Sequence, residues 1–133
     1  DLVSILGREK DGTVRSRIYQ ALENQEGVDN PAVLEHALAE TDPGARLAAS
    51  SYVAEQVAAG SQGSGREQFD LVVVPELTDI ALGEADMHLK LKAVSVLRRA
   101  RTAVSLEALR EIAGRSTEAR VSEAARTGLE KNR

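Results

Sequence analysis

The chain offers few residue types that could perform catalysis or bind a metal. Its only histidines are His36 and His88, and it has no cysteine. A metal site needs several His, Cys, Asp or Glu ligands at a defined spacing, and an activated nucleophile needs an adjacent base. Two isolated histidines meet neither requirement, so we interpret them as surface residues. We therefore predict no catalytic residue, no metal ligand and no cofactor, and we expect that the protein is not an enzyme.

The glycine-rich stretch at 60–65 resembles a phosphate-binding loop in composition only. It lacks the Gly-Lys-Ser/Thr ending of such loops, and no strand precedes it. Residues 60–68 include three glycines and no apolar side chain. This composition predicts a flexible insertion at 60–68.

A cluster of basic residues is the strongest candidate for binding. It comprises Lys90, Lys92, Arg98, Arg99 and Arg101. Helical spacing places Arg98 opposite the apolar face of its helix, so it should project outward. Such a patch can neutralise phosphates, but a solvated helix face is the plainer interpretation, and the net charge of −4 argues against a dedicated nucleic-acid binder.

Charge is unevenly distributed along the chain. Residues 1–85 carry 15 acidic and 6 basic residues, a net charge of −9, whereas residues 86–133 carry 6 acidic and 11 basic residues, a net charge of +5. Because charged surfaces orient encounters with oppositely charged molecules, the basic half favours an acidic partner.

Composition favours one helical domain without a membrane span. The 133 residues include no Trp and only three other aromatics, Tyr19, Tyr52 and Phe69, so the core must be built from small aliphatic side chains. No apolar run approaches membrane-spanning length. The chain starts at Asp1 in a stretch already typical of a helix. We therefore predict a single domain over 1–133, cut from a longer chain and monomeric, with the compartment open and the cytoplasm favoured.

One short skeleton recurs along the chain. It consists of an acidic residue, an apolar anchor three positions later, a base next to the anchor, and apolar residues four, seven and eight positions further on. The anchors of the four copies are Val14, Ala45, Leu89 and Val121. A period of about 30 to 45 residues is typical of stacked helical repeats.

The skeleton resembles the HEAT-repeat family, in particular the short bacterial HEAT-like repeats also found in phycobilisome lyases. Three copies match the Asp-x-x-Val-Arg pattern of that family, at Asp11/Arg15, Asp42/Arg46 and Asp86/Lys90. The resemblance implies that these six residues form a ladder between neighbouring repeats and that the second helices line a concave face. The fourth copy departs from the pattern, with Glu118 and Ser122, as expected of a terminal repeat.

Two classes of enzyme are built on similar scaffolds. Di-iron hydroxylases of this architecture use several His-Glu pairs, and this chain has no His-Glu dipeptide. Base-flipping glycosylases surround the extruded base with aromatic or apolar side chains, and two inward tyrosines make a poor wall for such a site. We therefore set both activities aside.

The pattern predicts an all-α solenoid of about four antiparallel HEAT-like helix pairs. Aspartates, and Asn30 before Pro31, should cap the helices that follow them. The residues at 71–74, which precede Pro75, favour extended backbone. A short strand there is an alternative, although nothing visible would pair with it. The predicted helices are 2–9, 11–25, a helix that opens at Asn30-Pro31 and ends before Asp42, 43–59, a helix from Pro75 to Gly83, 86–101, 103–113 closed by Gly114, and 116–131.

The function that we predict is a non-catalytic scaffold that binds another protein along the face of its second helices. The residues assigned to this face are Leu47, Ser51, Leu91, Ser95, Arg98 and Arg99. Outward leucines would suit a peptide or helix partner, but neighbouring repeats covering Leu47 and Leu91 would fit equally well. Two alternatives stay open: nucleic-acid binding by the basic C-terminal half, and a regulatory segment of a larger enzyme.

Overall fold

A computed structural model of the chain describes residues 2–23, 31–59 and 65–131. Within these ranges every regular element is helical, so the predicted all-α class is confirmed. The elements are α1 (Leu2–Arg8), α2 (Gly12–Glu23), α3 (Pro31–Leu38), α4 (Pro43–Ala58), α5 (Arg66–Gln68), a π-helical segment (Phe69–Val73), α6 (Val74–Leu82), α7 (Met87–Ala100), α8 (Ala103–Arg115) and α9 (Ala119–Lys131).

The helices group into two compact units, Asp1–Arg66 and Glu67–Arg133. In the first unit, α1 packs on α2 and α3, and α4 packs on both α2 and α3. In the second unit, α7 packs on α6, α8 and α9, while α8 also contacts α6 and α9. A single domain over 1–133 and its arrangement as a solenoid stay predictions.

Aspartates mark the starts of three helices, as predicted. The side chain of Asp42 accepts from the backbone N–H of Ala45, and that of Asp86 accepts from Leu89. Asp11 accepts from the N–H of Thr13 at 2.9 Å. Each bond satisfies a donor that the first helical turn leaves unpaired, and the negative charge suits the positive end of the helix dipole. The predicted cap at Asn30 lies outside the described residues.

Each unit has a core of aliphatic and aromatic side chains. In the first unit Tyr19 and Tyr52 are fully buried, and Ala45 and Ala49 let α4 approach its neighbours closely. In the second unit Phe69 is fully buried; the other large buried side chains there include Leu77, Leu97, Leu109 and Ile112. The predicted inward position of Leu97 is therefore confirmed.

The prediction of a loop to residue 68 followed by extended backbone is wrong where the structure describes it. Residues 60–64 lie outside the described residues, but the chain is helical from Arg66 onward. Before Pro75 the helix widens, and the N–H of Val74 donates to the carbonyl of Phe69, five residues earlier. Proline crowds the carbonyl four residues before it and lacks an N–H, so a π-helical turn accommodates it. Burial of Phe69 and Val73 outweighs the β-propensity of this segment.

Two boundaries in the second unit also differ from prediction. Gly114 is predicted to close α8, yet the helix continues through it to Arg115 and closes at Ser116, whose N–H donates to Ile112. An exposed helical glycine costs only about 1 kcal/mol relative to alanine, and the Arg115–Glu111 ion pair of the added residues offsets this cost in part. The last helix begins at Ala119 rather than at Ser116. The predicted helix end at Gly83 is confirmed.

No helix within the described ranges is both long and apolar enough to cross a membrane.

Candidate functional site

A buried ion pair joins α2 to the segment that follows α3 in the first unit. Arg15 donates from Nε to Oε2 of Glu40 at 2.9 Å and from Nη2 to Oε1 at 2.8 Å. The Tyr19 hydroxyl donates to Oε2 at 3.1 Å, and the backbone N–H of Asp42 donates to Oε1 at 3.1 Å. Only 4% of the Glu40 side chain is exposed. A bidentate arginine and two further donors therefore satisfy the carboxylate in place of water.

This environment shifts the pKa values of all three side chains. Burial alone would raise the pKa of Glu40, but the hydrogen bonds from Arg15, Asp42 and Tyr19 outweigh it and hold that pKa below its ordinary value. The hydrogen bond to Glu40 raises the pKa of Arg15. Burial, and then the neighbouring carboxylate, raise the pKa of Tyr19. The carboxylate is thus kept charged and the phenol kept as a donor.

Arg46, the second predicted base of the ladder, closes the end of α3. Its Nη1 donates to the carbonyls of Leu38 at 3.1 Å, Glu40 at 3.2 Å and Ala37 at 3.4 Å. The last carbonyls of a helix lack partners within it, and a cation there also suits the helix dipole. Arg46 therefore ties the start of α4 to the end of the helix before it.

The second unit repeats the ion pair with other residues. The Nζ of Lys90 donates to Oε1 of Glu118, which lies just before α9. Lys90 is almost fully buried, whereas the preceding Leu89 is 37% exposed. The inward orientation predicted for Leu89, the apolar anchor of this copy, is therefore wrong: the neighbouring Lys90 faces inward in its place and pairs with Glu118. Glu118, which departs from the Asp-x-x-Val-Arg pattern, still makes the contact.

Glycines let helices and side chains approach closely in both units. A side-chain carbon at Gly12, the first residue of α2, would overlap with the carboxylate of Asp42. One at Gly128 in α9 would overlap with Cγ and Cδ of Arg98. The aliphatic part of Arg98 therefore lies across the backbone of α9, and the residue is half-buried rather than fully outward as predicted.

The six predicted partner-binding residues divide between buried and exposed positions. Leu47 and Ser51 are buried in α4, which is buried around nearly its whole circumference from 47 to 54. The outward position predicted for Ser51 is therefore wrong, and for Leu47 the alternative holds, in which neighbouring helices cover it. In α7, Ser95 and Arg99 are exposed and Leu91 is half-buried. We call the residues Leu91, Ser95, Arg98 and Arg99 the α7 surface. It is the part of the predicted face that solvent reaches.

A second surface, not anticipated from the sequence, is an open groove between α6 and α8 with a volume of about 890 Å³. We call it the α6–α8 groove. Val74, Thr78 and Ala108 are its buried lining residues. The remaining lining residues are Pro75, Asp79, Leu82, Gly83, Ala103, Val104, Glu107, Glu111 and Arg115.

A hydrogen bond fixes one end of the groove. The hydroxyl of Thr102 donates to Oδ1 of Asp70 at 2.7 Å and also accepts from the N–H of Ser105 as the cap of α8. Asp70 lies in the π-helical segment that leads into α6. One hydroxyl thus holds the beginnings of both groove helices together.

Several residues of the candidate site were not predicted from the sequence, although some of them carry a sequence signal that could have identified them. Glu118 stands at the acidic position of the fourth skeleton, and Gly128 at one of its apolar positions, so both left a signal. Thr102 precedes a helical pattern at a capping position. Glu40 follows the apolar stripe of α3 with no feature that marks it as buried. Asp70 meets Thr102 only through the π-helical segment, which the sequence did not predict.

No group of three potential metal ligands occurs among the described residues, and both histidines are exposed. No protein-family model matches the chain, and no curated protein or solved structure matches it either.

Proposed function

We propose that the chain is a non-catalytic HEAT-like repeat scaffold that binds an acidic segment of another protein through the α7 surface. The observation that carries this proposal is the exposed basic edge of α7, where Arg99 is exposed and Arg98 is held across α9. The net charge of +5 on residues 86–133, which include α7, also supports an acidic partner.

The repeat assignment rests on a contact that recurs in both units. A base near the start of one second helix binds a carboxylate located before the next second helix: Arg15 binds Glu40, and Lys90 binds Glu118. The HEAT resemblance implies such a ladder between neighbouring repeats. We propose accordingly that each unit contributes two helix pairs to a solenoid.

The chemistry of the α7 surface suits a peptide that combines carboxylates with an apolar side chain. Leu91 offers partly exposed apolar area, Ser95 is small enough to admit a close approach, and the arginines can pair bidentately with carboxylates. Because the stem of Arg98 already rests on Gly128, ordering its guanidinium on binding costs less entropy than ordering a free side chain.

The experiment is a comparison of two charge-reversed variants with a partner recovered by pull-down. Arg98→Glu with Arg99→Glu reverses the charge of the α7 surface, and Arg8→Glu with Arg17→Glu makes the same change of net charge at two exposed arginines of the first unit. We expect the first pair to slow association at least about tenfold and to weaken its dependence on salt, and the second pair to change it less than about twofold. Circular dichroism should show all variants folded.

Equal retention of the partner by both variants would refute this location of the binding surface. Tight binding of duplex DNA that depends steeply on salt and on Arg98 and Arg99 would instead support the nucleic-acid alternative. The remaining alternative, a regulatory segment of a larger enzyme, predicts that the recovered partner is a catalytic subunit or domain whose activity changes on binding.

A further inference from the structure

We propose that the α6–α8 groove is a second docking surface, which binds a basic amphipathic helix of a partner protein. None of its lining residues comes from α7, and the partner that it suits has the opposite charge from the partner of the α7 surface. The inference therefore stands or falls independently of the proposed function.

The shape of the groove fits a helix. Its walls are formed by positions 75, 78, 79 and 82 of α6 and 104, 107, 108, 111 and 115 of α8, a spacing that places each set on one face of its helix. With 9 and 13 residues, the two helices are roughly 13 and 20 Å long at 1.5 Å per residue. An occupant of two to three helical turns would match this length, and docking in such a groove is a recurrent way to bind an amphipathic helix.

Apolar side chains line the groove and continue beyond one end. Pro75 and Val104 are exposed on its walls. Leu71 and Val72, in the π-helical segment one turn before Pro75, are 69% and 54% exposed. The bond between Asp70 and Thr102 joins this π-helical segment to the start of α8, the helix that carries Val104. Scattered exposed apolar residues are ordinary, but adjacent ones that adjoin a groove are typical of binding sites.

The polar part of the groove is predominantly acidic. Asp79, Glu107 and Glu111 outnumber the single base, Arg115. Glu107 pairs with Arg110 and Glu111 with Arg115, but all four side chains are between 46% and 74% exposed. Exposed ion pairs of this kind contribute little, so a partner's lysine or arginine can replace the local base. The carboxyl end of α6 adds partial negative charge near Gly83.

The charge and the openness of the groove indicate which kind of molecule it can bind. Carboxylates on the walls repel nucleic acid and acidic peptides, and an open groove leaves most of a small molecule in water, whereas ligand sites usually enclose it. A helix with an apolar stripe flanked by Lys or Arg can pack its apolar side chains against the groove lining and place its basic side chains beside the carboxylates of the rim. Arg115 adds specificity, because it penalises a cation placed at its own end of the groove.

The test uses the 133-residue chain and a fluorescein-labelled synthetic helix of about 15 residues, long enough for two to three of its turns to lie in the groove. The peptide has Leu on one face and Lys on both flanks, and its binding is measured by anisotropy. Glu107→Gln with Glu111→Gln neutralises the groove and should weaken binding at least about fivefold at low salt. The matched pair Glu123→Gln and Glu130→Gln neutralises two exposed residues of α9 and should change binding less than about twofold.

Two further comparisons separate docking from unspecific charge attraction. Leu71→Ser should weaken binding at least about threefold, whereas Ile5→Ser, which alters an exposed apolar residue of the first unit, should leave it unchanged. A peptide of the same composition with its leucines scattered should bind at least about tenfold more weakly. The proposal is overturned if the two Glu→Gln pairs behave alike, or if the scattered peptide binds as tightly as the amphipathic one.

Discussion

Replacing the carboxylate of Glu40 by an amide tests whether the buried ion pair holds the first unit together. In Glu40→Gln the shape of the side chain is kept, but Arg15 loses its counter-ion. Four hydrogen bonds reach Glu40 from Arg15, Tyr19 and Asp42. A single amide oxygen cannot accept all of them, and its NH₂ group would face donors.

The expected cost follows from burial. Removing one partner of a buried ion pair costs about 3–5 kcal/mol because the other charge stays uncompensated. The Arg15 side chain retains 18% exposure and the Glu40 side chain 4%, so water can reach the arginine in part. We therefore expect Glu40→Gln to lower the free energy of unfolding of the first unit by about 3 kcal/mol, the lower end of that range.

The assay can follow the first unit alone. The chain has two tyrosines and no tryptophan, and both Tyr19 and Tyr52 are buried in the first unit. Tyrosine fluorescence during urea unfolding therefore reports that unit, while circular dichroism reports both. Glu35→Gln, the same substitution at an exposed position of α3, is the matched control and should change the free energy of unfolding by less than about 0.5 kcal/mol.

The stability difference between wild type and Glu40→Gln should also depend on pH. The pKa of Glu40 is lowered from its ordinary 4.5 in the folded state. The carboxylate's contribution is therefore complete above pH 4.5 and is lost as the pH falls through the lower, folded-state pKa. If Glu40→Gln and Glu35→Gln unfold alike at neutral pH, or if the difference persists unchanged at the most acidic pH at which the protein folds, the ion pair does not stabilise the unit.

Four further substitutions test packing and caps in the second unit by chemical denaturation. Leu97→Ala should cost roughly 2–4 kcal/mol as truncation of a fully buried leucine, and Leu91→Ala less than about 1 kcal/mol; equal losses would mean that the faces of α7 are wrongly assigned. Gly128→Ala should destabilise the unit despite the better helix propensity of alanine, since it displaces Arg98, and a gain in stability would refute that close contact. Thr102→Val should cost about 1–2 kcal/mol because it removes both the cap of α8 and the bond across the groove, and a loss below about 0.3 kcal/mol would show that this bond is unimportant.

Local signals predicted the helices well where capping and apolar periodicity agreed. Asp42 and Asp86 cap the helices that follow them, because their position fixes which backbone donors they can reach. The prediction for the segment before Pro75 was wrong, since three β-branched residues and a proline favour extended backbone locally while burial of Phe69 and Val73 favours a helix. Burial in the tertiary structure favours the helix here, and such burial cannot be predicted from a short window of sequence.

The candidate site was predictable only in part for a similar reason. The bases Arg15 and Lys90 were identified, but their partners Glu40 and Glu118 depend on which helix ends meet. Counting along α4 placed Leu47 on an outward face, although neighbouring helices bury that face too. The groove between α6 and α8 arises from residues distant in sequence, so periodicity within either helix could not reveal it.

Hydrogen–deuterium exchange of the chain with and without the recovered partner can locate the docking site on the α7 surface. We expect slower exchange of backbone amides within Met87–Ala100 of α7 and in the facing part of α9 around Gly128, and we expect Arg98→Glu with Arg99→Glu to abolish this protection. Protection confined to α6 and α8, or to the first unit, with no change in α7, would contradict docking at this surface.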